Sequence, residues 1–169
     1  MNDIQPIISN IAALIFVGFL LYAAVNDIRS FTISNRLNLI FGACFLIFFL
    51  PIGLDFRGLA VHFAVALIAF LIGFILFAIG AWGGGDAKLL AATAFWLGPN
   101  AMMPYAMATA LSGGLLAVIL LISRYFAKKY GLPKSPRWLR QILRKRAQVP
   151  YGVALCIGGI FAIANASWR

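Results

Sequence analysis

Four acidic residues stand in this chain, all aspartate: Asp3, Asp27, Asp55 and Asp86. Asp3 precedes the first apolar run and Asp55 sits beside Arg57 in a short polar break, so both read as solvated loop residues. Asp27 and Asp86 differ, because each lies at the end of an apolar run. Two carboxyl groups brought together in a partly dry site cannot both ionise easily, and such a pair shares a proton near neutrality. One can then activate a water as base while its protonated partner polarises a peptide carbonyl. No Ser–His or Cys–His arrangement competes. The single histidine, His62, falls inside an apolar run and reads as a packing residue. Cys44 and Cys156 also lie within apolar runs, with neither CxxC spacing nor a nearby histidine, so no metal site, cofactor or disulfide framework is expected.

The segment that carries Asp86 reads Gly83-Gly84-Gly85-Asp86-Ala87-Lys88. Three glycines disfavour a continuous helix and let another backbone approach closely. A phosphate loop needs Gly-Lys followed by Ser or Thr, so Asp-Ala-Lys excludes it. Two readings fit the spacing. Asp86 can cap a helix while Asp27 sits in the turn leaving another, or the two can form a catalytic pair of the kind an aspartic protease uses.

The elements that must position them are apolar throughout. Of 169 residues, 63% are hydrophobic and 11% charged, whereas a soluble domain carries roughly 25% charged residues. That excludes a soluble enzyme and a disordered tail, and predicts an all-α polytopic membrane protein forming one membrane-embedded domain over residues 1–169. Runs of about 20 apolar residues suit a bilayer crossing. The spans are expected at 7–25, 37–54, 59–80, 87–98, 101–123 and 151–166. Gly98-Pro99-Asn100 divides the fourth from the fifth. Six transmembrane helices result. The apolar stretch after Asp86 reaches only about 18 Å, short of the ~30 Å hydrocarbon core, so a carboxylate at membrane depth is one outcome.

The net charge of +10 could suggest nucleic acid, but the basic residues sit between apolar runs, and no nucleic-acid partner is expected. No Lys or Arg precedes Arg29, so the first run is not a secretory signal and its N-terminus is expected outside. Of the 14 basic residues, all but Arg57 and Arg169 then fall on the cytoplasmic side, as the positive-inside rule requires. The basic loop 124–149 contains a short amphipathic pattern: Trp138, Leu139, Ile142 and Leu143 share one face, Arg137, Arg140, Gln141 and Arg144 the other. It fits a helix lying on an anionic inner leaflet, with a docking surface as the alternative. Small residues recur every fourth position at Ala106, Ala110 and Gly114, and at Gly158, Ala162 and Ala166, as in close helix pairs.

These residues resemble the type IV prepilin peptidases. Gly83-Gly84-Gly85-Asp86-Ala87-Lys88, followed by Leu89-Leu90-Ala91-Ala92 and Trp96-Leu97-Gly98-Pro99, looks like that family's GxGD segment. Asp27 with Ile33-Ser34-Asn35 resembles its first aspartate segment, and Pro150-Tyr151-Gly152 its late Pro-Phe-Gly motif. Ser34 stands where the family usually has proline. The resemblance implies a six-helix aspartic endopeptidase of the bacterial cytoplasmic (inner) membrane that cuts the basic leader from pilin-like precursors after a glycine, at the cytoplasmic face. It implies Asp27 and Asp86 as the catalytic pair, with Gly83, Gly85, Lys88 and Asn35 shaping the site or binding substrate. For Lys88, a snorkelling interfacial lysine is the plainer account. The chain lacks the N-terminal extension with paired CxxC motifs, so it resembles the short, peptidase-only form of tight-adherence (Flp) pilus systems, without methyltransferase activity. The residues leave other functions open: a small transporter or ion-relay subunit using the same aspartates, or a non-catalytic pilus assembly factor. Oligomeric state is not encoded in these patterns.

Overall fold

The computed structural model describes residues 4–131, 140, 142–143 and 149–165, and helices joined by short turns are the regular structure among them. The helices are α1 (Ile4–Ser30), α2 (Asn35–Phe48), α3 (Phe56–Ala78), α4 (Gly84–Tyr130) and α5 (Tyr151–Asn165). Three of them, α1, α3 and α4, are long and apolar enough to cross a membrane. The other two are short: α2 has 14 residues and α5 has 15, which at ~1.5 Å per residue gives roughly 21–23 Å each.

Local chemistry sets the boundaries. Span 37–54 is expected to run through Pro51, but α2 stops at Phe48 and the chain turns through residues 49–53, where Gly53 takes φ 93°. Asp55 is not merely a solvated loop residue: its Oδ1 accepts the Gly58 N–H at 2.7 Å and caps α3. Ser34 likewise caps α2, its Oγ accepting the Leu37 N–H at 3.2 Å. Its φ of −70° lies within the range a proline ring imposes. Serine therefore keeps the backbone path that proline would fix and adds a capping bond.

α4 carries the break read at 98–100. Gly98 has φ 62° and ψ −172°, a region open essentially to glycine alone, and Pro99 opens the next helical turn, where its missing N–H costs nothing. The residues on either side show that the chain folds back here. Gly85, before the break, lies against Ile33, while Gly113, after it, lies against Tyr151 and Ala154, and both contacts are at one end of the bundle. Gly98 lies at the other end, with the His62 imidazole filling the space a Cβ would need. His62 is held there by a 2.8 Å bond from Nδ1 to the Phe95 carbonyl and by stacking on Phe45 at 5.2 Å.

The core is aromatic. Trp96 is fully buried among Phe16, Phe41 and Phe45, and its indole N–H donates to the Phe41 carbonyl at 2.7 Å. One side chain thereby joins α1, α2 and α4. Against α5, the small-residue row is shifted by one position from the expected one. Ala106, Ala110 and Gly114 face outward, whereas Tyr105, Thr109 and Gly113 are buried, with Thr109 filling the notch at Gly158. The four-residue period holds but its phase does not, because the row packed inward carries Tyr105 and Thr109, which small-residue spacing does not select. Gly158 and Ala162 are buried as expected; Ala166 lies outside the described residues, as does most of the amphipathic pattern at 136–149.

Gly98→Ala should destabilise the protein by about 3 kcal/mol, combining a backbone region closed to alanine with a clash at His62. Thermal unfolding in detergent checks this; a loss below about 0.5 kcal/mol would contradict the fold-back geometry.

Candidate functional site

Asp27 opens the last turn of α1, and α1 ends three residues later for a visible reason. Phe31 takes φ 54°, an unusual conformation for a bulky residue, while its N–H still bonds the Asp27 carbonyl at 2.9 Å. Ser30 Oγ donates to the Asn26 carbonyl at 2.8 Å and lies 2.9 Å from Thr32 Oγ1, which fixes the turn. The reversal carries Ile33 back to the glycine run. A Cβ on Gly85 would lie 3.0 Å from the Ile33 carbonyl oxygen and 3.1 Å from its nitrogen, so backbone meets backbone there.

Asp86 occupies the first turn of α4. Its Oδ2 accepts the Gly83 N–H at 3.1 Å, across the start of its own helix. Asp27 does the corresponding job for a different helix. Its Oδ2 accepts the Gly152 N–H at 2.7 Å, at the start of α5 and 125 residues away in sequence. Both side chains are buried, at 4% and 6% exposure. Each is thus held by an otherwise orphaned amide at the positive end of a helix dipole. The two amides belong to neighbouring helix starts, since Gly83 follows Trp82 and Gly152 follows Tyr151, whose rings lie 5.2 Å apart.

Asn35 and Lys88 meet directly: Lys88 Nζ donates to Asn35 Oδ1 at 2.6 Å, tying the start of α2 to the start of α4. Both are exposed, so the lysine bridges two elements rather than only reaching for the interface. Gly83 supplies the amide that Asp86 accepts, and Gly85 gives the close approach to Ile33. All six residues singled out in the sequence therefore gather at one end of the bundle.

Other residues complete this end. Gly152 appeared in the sequence only as part of a motif, yet a Cβ there would stand 2.9 Å from both Asp27 Cβ and Oδ2. Trp82 and Tyr151, the residues just before Gly83 and Gly152, pack ring on ring at 5.2 Å. That contact draws together the two backbone strips that hold the carboxylates. Asn38, buried on α2, donates its amide to the Gly85 carbonyl at 3.5 Å. The signal for Gly152 was available, since a glycine beginning an apolar run invites a close neighbour. For Trp82 and Asn38 only the three-dimensional arrangement gives a reason. Among the described residues, no group of three or more His, Cys, Asp or Glu side chains comes together.

Gly152→Ala should lower stability by about 1–3 kcal/mol, because the added methyl must displace Asp27 or α5. Gly114→Ala, whose methyl meets nothing within 4 Å, should instead raise helix stability by about 0.5–1 kcal/mol. Opposite shifts in unfolding temperature are expected, and equal shifts would contradict the contact.

Residues 14–121 match the type IV leader peptidase family. The chain is similar to the prepilin leader peptidase/N-methyltransferase of Bacillus subtilis (strain 168), at 30% identity over 132 residues covering 73% of this chain. It spans about half (50%) of the length of that relative. No solved structure matches. With the matched region covering α2, α3, most of α1 and α4 and both aspartates, the chain belongs to the type IV leader peptidase family.

Proposed function

We propose that this protein is an aspartic endopeptidase that cleaves the leader of type IV pilin-like precursors, with Asp27 and Asp86 as its catalytic pair. The observation that supports the reading is that two buried carboxylates, one from α1 and one from α4, each accept a helix-start amide at the same end of an apolar bundle. Each engages a backbone amide through Oδ2, which leaves the Oδ1 atoms for the proton transfers. One carboxylate takes a proton from the attacking water, and the protonated partner donates to the carbonyl oxygen of the scissile peptide. Gly83 and Gly85 keep bulk away from the approach of an extended peptide, and the Lys88–Asn35 bond holds the rim of the site. No metal or other cofactor enters the scheme.

The fold-back at Gly98 supports six crossings in place of five helices, with the N-terminus outside. Arg29, Arg36, Lys88, Lys128 and Lys129 lie in the terminal turns of helices that converge on the aspartate end. By the positive-inside rule that end belongs at the cytoplasmic face of the inner membrane, against anionic lipid, where a basic leader joins its membrane segment. Cleavage after a glycine suits a site whose own walls are glycine backbone.

Purified protein in lipid, incubated with a pilin-like precursor, should release the leader as a mass-defined peptide ending in glycine. Asp27→Asn and Asp86→Asn should each reduce the rate by about 1000-fold or more while leaving the protein folded. Processing by either variant at near the unmodified rate would refute the pair.

A further inference from the structure

Helices in this bundle stop at two different heights at the aspartate end. α1 ends three residues after Asp27, and α2 begins at Asn35, which bonds Lys88. Arg29, Ser30, Thr32, Ser34, Asn35 and Arg36 are all exposed along the turn between them. Exposed cations are costly within hydrocarbon and tolerated at its edge. The bilayer boundary at this turn therefore lies level with the carboxylates.

Two other segments run past that level. Gly73 of α3 abuts Ala87, the residue after Asp86, and beyond it α3 exposes Phe74, Ile75 and Phe77. Gly113, in the limb of α4 that follows Gly98, lies against Tyr151, which adjoins the Gly152 amide accepted by Asp27. From there α4 continues to Tyr130. Along this limb Met103, Met107, Leu111, Leu115, Val118 and Ile122 are exposed, in one row with three- or four-residue spacing. The row begins beside the bundle and runs on about 14 Å beyond Gly113 without a charged residue. Exposed Tyr125, Phe126 and Tyr130 follow, with Lys128 and Lys129, the aromatic and basic combination found at membrane–water boundaries.

Length identifies what covers the row. A hydrocarbon core of ~30 Å takes about 20 residues of helix, and counted from Pro99 these end near Val118, past Gly113. A boundary flat across the bundle at the aspartates would leave Leu115, Val118 and Ile122 in water. A flat boundary at Tyr125 would submerge Arg29 and Arg36. We propose that the hydrocarbon boundary is notched at the aspartate end: level with the carboxylates at the turn between α1 and α2, and about 8–14 Å beyond them where acyl chains cover the ends of α3 and α4. The notch stands apart from the peptidase reading, and its consequence is directional. Water and polar chain come level with the carboxylates beside the α1–α2 turn without crossing hydrocarbon. Along the second limb of α4 they would have to cross it.

The unmodified protein in lipid nanodiscs, which leave both membrane faces open, tests this with two carbene-forming probes. One is a phospholipid carrying a diazirine in its acyl chain, the other a water-soluble diazirine, and adducts are mapped by mass spectrometry. Acyl-chain adducts should exceed water-borne ones by about tenfold or more at residues 115–122, with the ratio reversed at residues 29–36. Acyl-chain adducts dominating in both segments would place the whole end inside the hydrocarbon and overturn the notch. Water-borne adducts dominating in both would overturn it by showing that α4 leaves the bilayer at the aspartates. Protection of residues 115–122 from both probes would mean that protein covers the row, which would overturn it equally.

Discussion

A carboxylate inside an apolar bundle must be given donors, and here the donors are the amides at helix starts. Burial without them would leave an acidic group uncompensated in low dielectric, at a cost far above that of any single apolar contact. Asp27 takes the Gly152 amide and Asp86 the Gly83 amide. The requirement governs the topology. α4 and α5 must begin at the end where α1 finishes, so the chain has to fold back at Gly98, and the loop before α5 must return to the same face. The aromatic cluster around Trp96 then holds these helices at the spacing the two bonds need.

The same bonds demand absent side chains. Gly152 lies against Asp27 and Gly85 against Ile33 at distances that leave no room for a Cβ without displacement. Trp82 and Tyr151 do the opposite work from adjacent positions, filling space and pressing the two strips together. A large ring beside a glycine on each strip lets one residue set the spacing while its neighbour allows the approach.

Much of this was legible because membrane chains are written in few letters. With four acids in 169 residues, Asp27 and Asp86 could be weighed singly, and Gly98-Pro99 marked the fold-back without help from structure. Helix ends were less legible. α1 runs to Ser30, beyond the apolar run, and there the Ser30 hydroxyl is satisfied by the Asn26 backbone carbonyl one turn back. Asp55 gave no sign of capping, since the capping bond depends on the backbone at Gly58 rather than on hydropathy. Ala106, Ala110 and Gly114 misled by one residue because period fixes a face only up to its phase, and the buried row includes Tyr105, which no small-residue pattern would select. Asn38 sits in an ordinary apolar stretch, and only the position of the Gly85 carbonyl explains it.

The sequence left helix capping and acid chemistry as rival accounts of the two aspartates, and the geometry makes them compatible. Asp86 meets the capping reading in part: Gly83 is the N-cap, and Asp86, three residues on, returns its Oδ2 to the Gly83 N–H. Asp27 meets it in altered form, capping α5 from α1. A capping bond uses one carboxylate oxygen and fixes the plane of the group, which is what a proton-transfer residue needs: its other oxygen is aimed without a further side chain to hold it. A helix start supplies this orientation with backbone alone. Capping in this bundle is therefore the means by which two acids can be buried and held in a fixed orientation.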